Sequence, residues 1–225
     1  MLFLSGAGLP TWIWDQVRQD LPLASVVAAR PSTRAASVTD HAQAALACAP
    51  DGDDLVLVAH SAGGVVASEL TALAPARVSA VLAVCAVVPA AGGSFTSSLP
   101  FPQRILLPLV MRVAGTRPPE SAVRKGLAAG LDEDTVQRLL RDVSSEDRAY
   151  FTSRVRAGQP VPVRGYVSTS EDAELSPALQ QRYAERLSAT FRRQLPGGHL
   201  PMLLHPRDLA GAITDFLHEH DLADR

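Results

Sequence analysis

The sequence predicts an α/β fold, a doubly wound and mostly parallel sheet with a helical cap inserted at about 90–158. Three observations carry that expectation. Short apolar runs alternate with longer helical patterns. The runs are continuously apolar rather than alternating, as in strands covered on both faces. The rhythm then breaks at Pro89 and resumes after about Gly158.

Strands are expected at LFL near the start, ASVVAA from Ala24, DLVLVA from Asp54 and SAVLAVCAVV from Ser79. Between them Trp12 to Leu21, Val38 to Ala47 and Ser61 to Leu73 space their apolar residues as helices do. A β-α-β-α order implies parallel strands. The interrupting stretch carries Pro100, Pro102, Pro108, Pro118 and Pro119, then helical patterns over Asp132 to Asp142 and Ser145 to Arg156. After it come VPVRGYVST, a helix capped by Ser176 with Pro177 in its first turn, TFRRQL, and a last helix over Pro206 to His218. No repeat or linker divides the chain, so one domain is expected, with core 1–89 and 159–225.

With 225 residues and 47% hydrophobic content, a substantial core is affordable. Basic and acidic side chains number 21 and 23, a net charge of -2 without long blocks of either sign. No nucleic-acid or membrane partner is therefore expected. The opening MLFLSGAG has no basic segment and reaches glycine early, and no run of 18 apolar residues occurs, so neither secretion nor spanning is expected. Cys48 and Cys85 read as reduced packing residues, consistent with a cytoplasmic protein.

The chemistry-bearing signal is DLVLVAHSAGGVVASEL, an apolar strand that runs through Ala59-His60-Ser61-Ala62-Gly63 into a helix. A sharp strand-to-helix turn demands small residues two before and two after its centre, and Ala59 and Gly63 are small. Such a turn lifts the Ser61 hydroxyl above the strand ends and sets the Ala62 N–H at a helix start, where it can face a developing oxyanion. The departure from the usual glycine is Ala59, one methyl group larger. Ser61 could instead be a simple helix cap.

Of six histidines, only His199 sits in a glycine-rich turn after a strand-like segment, in LPGGHLPMLLHP, where a mobile base belongs. His60 adjoins the serine and reads as structural, His205 precedes a helix, and His41, His218 and His220 are expected on solvated helix faces. For the acid, VRGYVSTSEDAEL offers Glu171, Asp172 and Glu174. Asp172 suits a tight turn and completes the order Ser, Asp, His, with Glu171 as the alternative. All three could also form an ordinary acidic loop ahead of a helix. The turn after the first strand offers a second oxyanion N–H, at Ala7 or next at Gly6.

In LSGAGLPTWIW, AHSAGG, TSEDAELSPALQ and GGHLPMLLHP, in that order, the chain resembles the compact plant-type esterase and hydroxynitrile lyase branch of the α/β-hydrolase superfamily and its bacterial relatives. The resemblance spans nearly the whole chain. It implies an acyl-enzyme on Ser61, His199 as base, Asp172 orienting it, and Ala7 and Ala62 as oxyanion donors. Two departures stand out. Ser5 occupies a position where many relatives have histidine, and Leu200 follows His199 where cyanogenic lyases have lysine, which disfavours a lyase.

The expected partner is a small-molecule acyl substrate, with no metal and no organic cofactor, and a homodimer is left open. Candidate pocket residues are Trp12, Phe95, Leu106, Met111, Phe151 and Met202, any of which could equally pack the cap onto the sheet. Other readings are a cofactor-free lyase, acyl transferase or cyclase, and a small-molecule binding protein.

Overall fold

A computed structural model describes residues 1–50, 55–157 and 161–223. Among the described residues six strands form one sheet in the order β2-β1-β3-β4-β5-β6, every neighbouring pair parallel. In chain order the elements begin with β1 (Leu2–Leu4), α1 (Asp15–Gln19), β2 (Val26–Val27), α2 (Val38–Cys48), β3 (Leu55–His60), α3 (Gly63–Leu73) and β4 (Val78–Val84). Helices α4 (Phe95–Ser98), α5 (Gln103–Ala114), α6 (Glu120–Ala122), α7 (Glu133–Asp142) and α8 (Arg148–Thr152) follow before the chain re-enters the sheet. It closes with β5 (Val163–Thr169), α9 (Pro177–Leu187), β6 (Phe191–Leu195), α10 (Pro201–Leu204) and α11 (Pro206–Glu219).

The continuous apolarity of the strands has a direct cause. Along β3, Val56 and Val58 pack with Val17 of α1 and Ile213 and Phe216 of α11, while Leu55, Leu57 and Ala59 pack with Ala42 of α2 and Val66 of α3. Helices therefore cover both faces, and every residue of β3 is buried. Parallel strands also bring their carboxyl ends to one edge, where loops can converge on a ligand.

Several local expectations change in the structure. Of the run from Ala24 only Val26–Val27 forms a strand, because β1 on its inner side is itself only three residues long. The helix expected from Trp12 is a 3-10 turn over Thr11–Trp14 followed by α1. Ser145 to Arg156 contributes only α8, since Ser144 and Glu146 are engaged by the loop after β1. Helix α3 begins at Gly63 rather than Ser61. Pro177 does open α9, but Ser176 makes no side-chain cap. The expected edge of the cap near Gly158 and Gln159 lies outside the described residues, as does Asp54. Cys48 and Cys85 are free thiols. Among the described residues no helix is long and apolar enough to cross a membrane.

Phe216 of α11 is fully buried and meets Phe191 of β6 edge-on, with ring centroids 5.3 Å apart. Phe216→Ala is expected to lower unfolding free energy by about 3–5 kcal/mol in urea titration, the range for a large aromatic lost from a packed core.

Candidate active site

The site is built where β3 turns into α3. Ser61 adopts φ 54°, a left-handed backbone that non-glycine residues seldom take. Its main chain is held from both sides: the Ser61 N–H donates to Val84 O at 3.2 Å, and its carbonyl accepts from Gly64 at 3.1 Å and Val87 at 2.9 Å. The turn fits beneath the first loop because Gly63 has no side chain; a Cβ there would overlap Leu4 O and lie 2.9 Å from Ser5 O.

Ser61 Oγ lies 2.9 Å from His199 Nε2, and His199 Nδ1 lies 2.7 Å from Asp172 Oδ2. Both members of the second pair are buried. The other Asp172 oxygen accepts the backbone N–H groups of Glu174 and Leu175, each at 2.8 Å. Burial pushes the Asp172 carboxyl up, but the hydrogen bond and charge of His199 and these two N–H groups outweigh it, leaving the pKa below its ordinary value. Glu171 is exposed, with its backbone N–H bonded to Gly197 O, and it is Asp172 that reaches His199.

Gln180 was not singled out by sequence reasoning. Fully buried on α9, it donates through Nε2 to Asp172 Oδ2 at 3.2 Å and Leu175 O at 2.8 Å, while its Oε1 accepts from Thr169 N. It thus ties the Asp172 turn to the end of β5. The available signal was a glutamine at the fourth position of a helix that starts just beyond the acidic loop. His60 is structural in the literal sense: fully buried, its Nε2 donates to the His199 backbone carbonyl at 2.9 Å. Ser5, the departure in the first loop, accepts from Trp14 Nε1 at 3.0 Å and so still pins that loop.

Ser61 and His199 open into a cavity of about 380 Å³, which Ala7, Ala62, Phe95, Met111 and Phe151 also line. Three other expected lining residues lie elsewhere. Trp12 stacks under the Arg138 guanidinium at 3.9 Å and donates to Asp142, which draws it to α7. Leu106 is on the outer face of α5, whose Leu107 and Met111 turn inward instead, while the exposed Val110 borders the cavity. Met202 is fully buried in the core on the α11 side of the sheet.

A second cavity of about 310 Å³ lies behind the first loop, bounded by Ser5, Gly6, Arg30, His41 and Tyr150. Glu146 borders both cavities. Its carboxylate accepts the Gly8 N–H at 3.0 Å and pairs with Arg30 at 3.1 Å, while Ser144 N donates to Gly8 O at 3.0 Å. His41, expected to be solvated, is buried against Tyr150 with ring centroids 4.4 Å apart, and its Nε2 is 3.5 Å from Glu146. Glu146 and Tyr150, packed against it, shield that residue from solvent. Among the described residues no group of three or more His, Cys, Asp or Glu is arranged to hold a metal ion.

The model of the alpha/beta hydrolase family matches residues 1–212, and the chain belongs to that family. Among solved structures, an extracellular alpha/beta-hydrolase from a Paenibacillus species, described as sharing structural and functional homology with tobacco salicylic acid binding protein 2, superposes with a TM-score of 0.82. It is 15% identical, over 95% of this chain and 97% of that one. A methylesterase from Arabidopsis gives a TM-score of 0.76 at 14% identity, covering 97% and 98%. At such identities the likeness establishes the fold. Among curated proteins, the probable oxidoreductase EphD of Mycobacterium tuberculosis is 27% identical over 134 residues, 53% of this chain and 22% of that protein, so the chain matches about a fifth of its length.

Burial lowers the pKa of His60 to about 3 and, with the nearby Arg30 charge, that of His41 to about 4, against 6.5 when unperturbed. Below pH 6.5 the unfolded chain binds protons that these native side chains refuse, so their contribution to stability is lost as pH falls toward those values. Glu146, raised by burial, acts in the opposite sense as pH falls through its native pKa. We expect denaturant midpoints to decline from about pH 7 to about pH 5.5, and less steeply in His41→Gln; equal slopes would show that His41 is not responsible.

Proposed function

We propose that the protein is a serine hydrolase that cleaves a small, largely hydrophobic ester or thioester through an acyl-enzyme on Ser61. The observation that carries this reading is the unbroken hydrogen-bonded chain from Ser61 Oγ through His199 to Asp172, seated at the open edge of the sheet. Family membership and the esterase-like architecture support it. Leu200 is fully buried and supplies no cation beside His199, which leaves nothing there to receive a cyanide leaving group.

In this mechanism His199 Nε2 takes the Ser61 proton as Oγ attacks the carbonyl carbon. The carbonyl oxygen becomes an oxyanion facing the Ala7 and Ala62 N–H groups, neither of which donates to another protein atom among the described residues. Asp172 holds the imidazolium, which then passes its proton to the departing alkoxide or thiolate. Water attacks the acyl-enzyme, His199 takes a proton from it, and collapse returns that proton to Ser61 with release of the carboxylic acid. The cavity's apolar wall of Phe95, Leu107, Val110, Met111 and Phe151 fits a hydrophobic acyl or alcohol group. Glu146 serves this chemistry indirectly, holding the Gly8 amide next to Ala7.

A fluorophosphonate is expected to add once to the wild-type protein, by intact mass, and not to Ser61→Ala; absence of the adduct on folded wild type would overturn the reading. Asp172→Asn should lower kcat for a simple ester by about 10⁴-fold, the loss seen when the imidazole is left in the wrong tautomer. Glu146→Ala is expected to lower kcat with little change in KM, since the oxyanion forms after the substrate has bound.

A further inference from the structure

The serine cavity is bordered by two carboxylates in different circumstances. Glu146 is engaged by Arg30 and the Gly8 N–H. The Glu174 side chain has neither a hydrogen bond nor an ion pair among the described residues. Its backbone is fixed, because the Glu174 N–H donates to the same Asp172 carboxylate that holds His199. From that anchor the side chain stands open to the cavity, on the wall that includes Ser61 and His199.

Opposite it runs a π-helical turn over Val123–Leu127, of which Val123 and Leu127 also line the cavity. Turns of this kind often mark functional sites. Gly126 lies within the turn, and a Cβ placed on it would overlap Glu174 Oε1. Hydrogen there in place of a methyl group opens the slot that the carboxylate occupies. The surrounding wall is apolar, and its one guanidinium, on Arg117, donates to Leu140 O at 3.1 Å. Burial raises the Glu174 pKa, as does the Asp172 charge, while His199 opposes the rise.

We propose that Glu174, in the slot cleared by Gly126, is a specificity-determining residue that accepts a hydrogen bond from a donor group on the substrate, above all an ammonium group. This rests on the reading of Ser61 as the nucleophile. Glu174 is exposed on the cavity side until a substrate covers it, and a covered carboxylate that faces an ammonium gains a charge-assisted hydrogen bond. The same carboxylate facing an alkyl chain is left with an unmet acceptor, so the site discriminates by what it leaves unpaired as much as by what it binds. The substrate class narrows to esters of largely apolar body with one cationic or hydroxyl-bearing end.

Two methyl esters of equal chain length, one ending in ammonium and the other in methyl, would be compared for kcat/KM and as competitors of fluorophosphonate labelling. Wild type should favour the ammonium ester by about tenfold, as a hydrogen bond to a charged group allows. Glu174→Leu should reverse the preference and Glu174→Gln should remove most of it. Gly126→Ala, which keeps the carboxylate but displaces it, should fall between wild type and Glu174→Gln. An unchanged preference, or equal protection by the two esters, in variants that still take the label on Ser61 would overturn the proposal and leave the nucleophile reading standing. Failure of wild type itself to label would overturn both.

Discussion

The rest of the site depends on one constraint, the left-handed backbone at Ser61. That conformation is unfavourable for a residue with a side chain, and it persists because the surroundings hold the Ser61 main chain from both sides. Val84, Gly64 and Val87 take up the Ser61 N–H and carbonyl, and the bare Gly63 lets the first loop lie across the turn. Only in this posture does Oγ point away from the sheet toward the His199 loop. The parallel sheet brings the ends of β3, β4, β5 and β6 to one edge, and the turn presents the hydroxyl there.

The Asp172 turn and the His199 loop show a second level of support. Each is an irregular segment, yet each is tied to a rigid element: Asp172 through Gln180 to α9 and β5, and His199 through its carbonyl to His60 at the end of β3. A buried polar chain of this type is stable only when nearly all its members are satisfied. His60 carries the exception, since its Nδ1 has no partner. That cost accompanies the burial which keeps the ring neutral and therefore able to serve as a fixed donor.

What could be read from the sequence follows the range over which each feature is determined. The parallel sheet was legible because strands covered on both faces must be apolar throughout. The meeting of Ser61 and His199 was legible because a sharp turn requires small neighbours and a glycine-rich loop requires glycines, both local demands. The choice between Asp172 and Glu171 was not local: it depends on which side chain the turn aims inward, and the N–H groups of Glu174 and Leu175 settle that orientation. Burial of His41 was invisible because it depends on Glu146 and Tyr150, more than a hundred residues away. Trp12 and Leu106 show the same limit from the other side, being apolar residues near the cavity in sequence that face away from it in space.

The grip of Ser144 and Glu146 on Gly8 has a mechanical meaning. Residues 144 and 146 belong to the helical excursion that forms one wall of the cavity, while Gly8 belongs to the loop that faces the nucleophile. Two hydrogen bonds and the Arg30 pair weld wall and loop into a single body. Any swing of that part of the wall wide enough to admit a bulky molecule must drag the loop with it or break the weld. The shape of the cavity wall and the placement of the loop beside the nucleophile are therefore set by the same contacts.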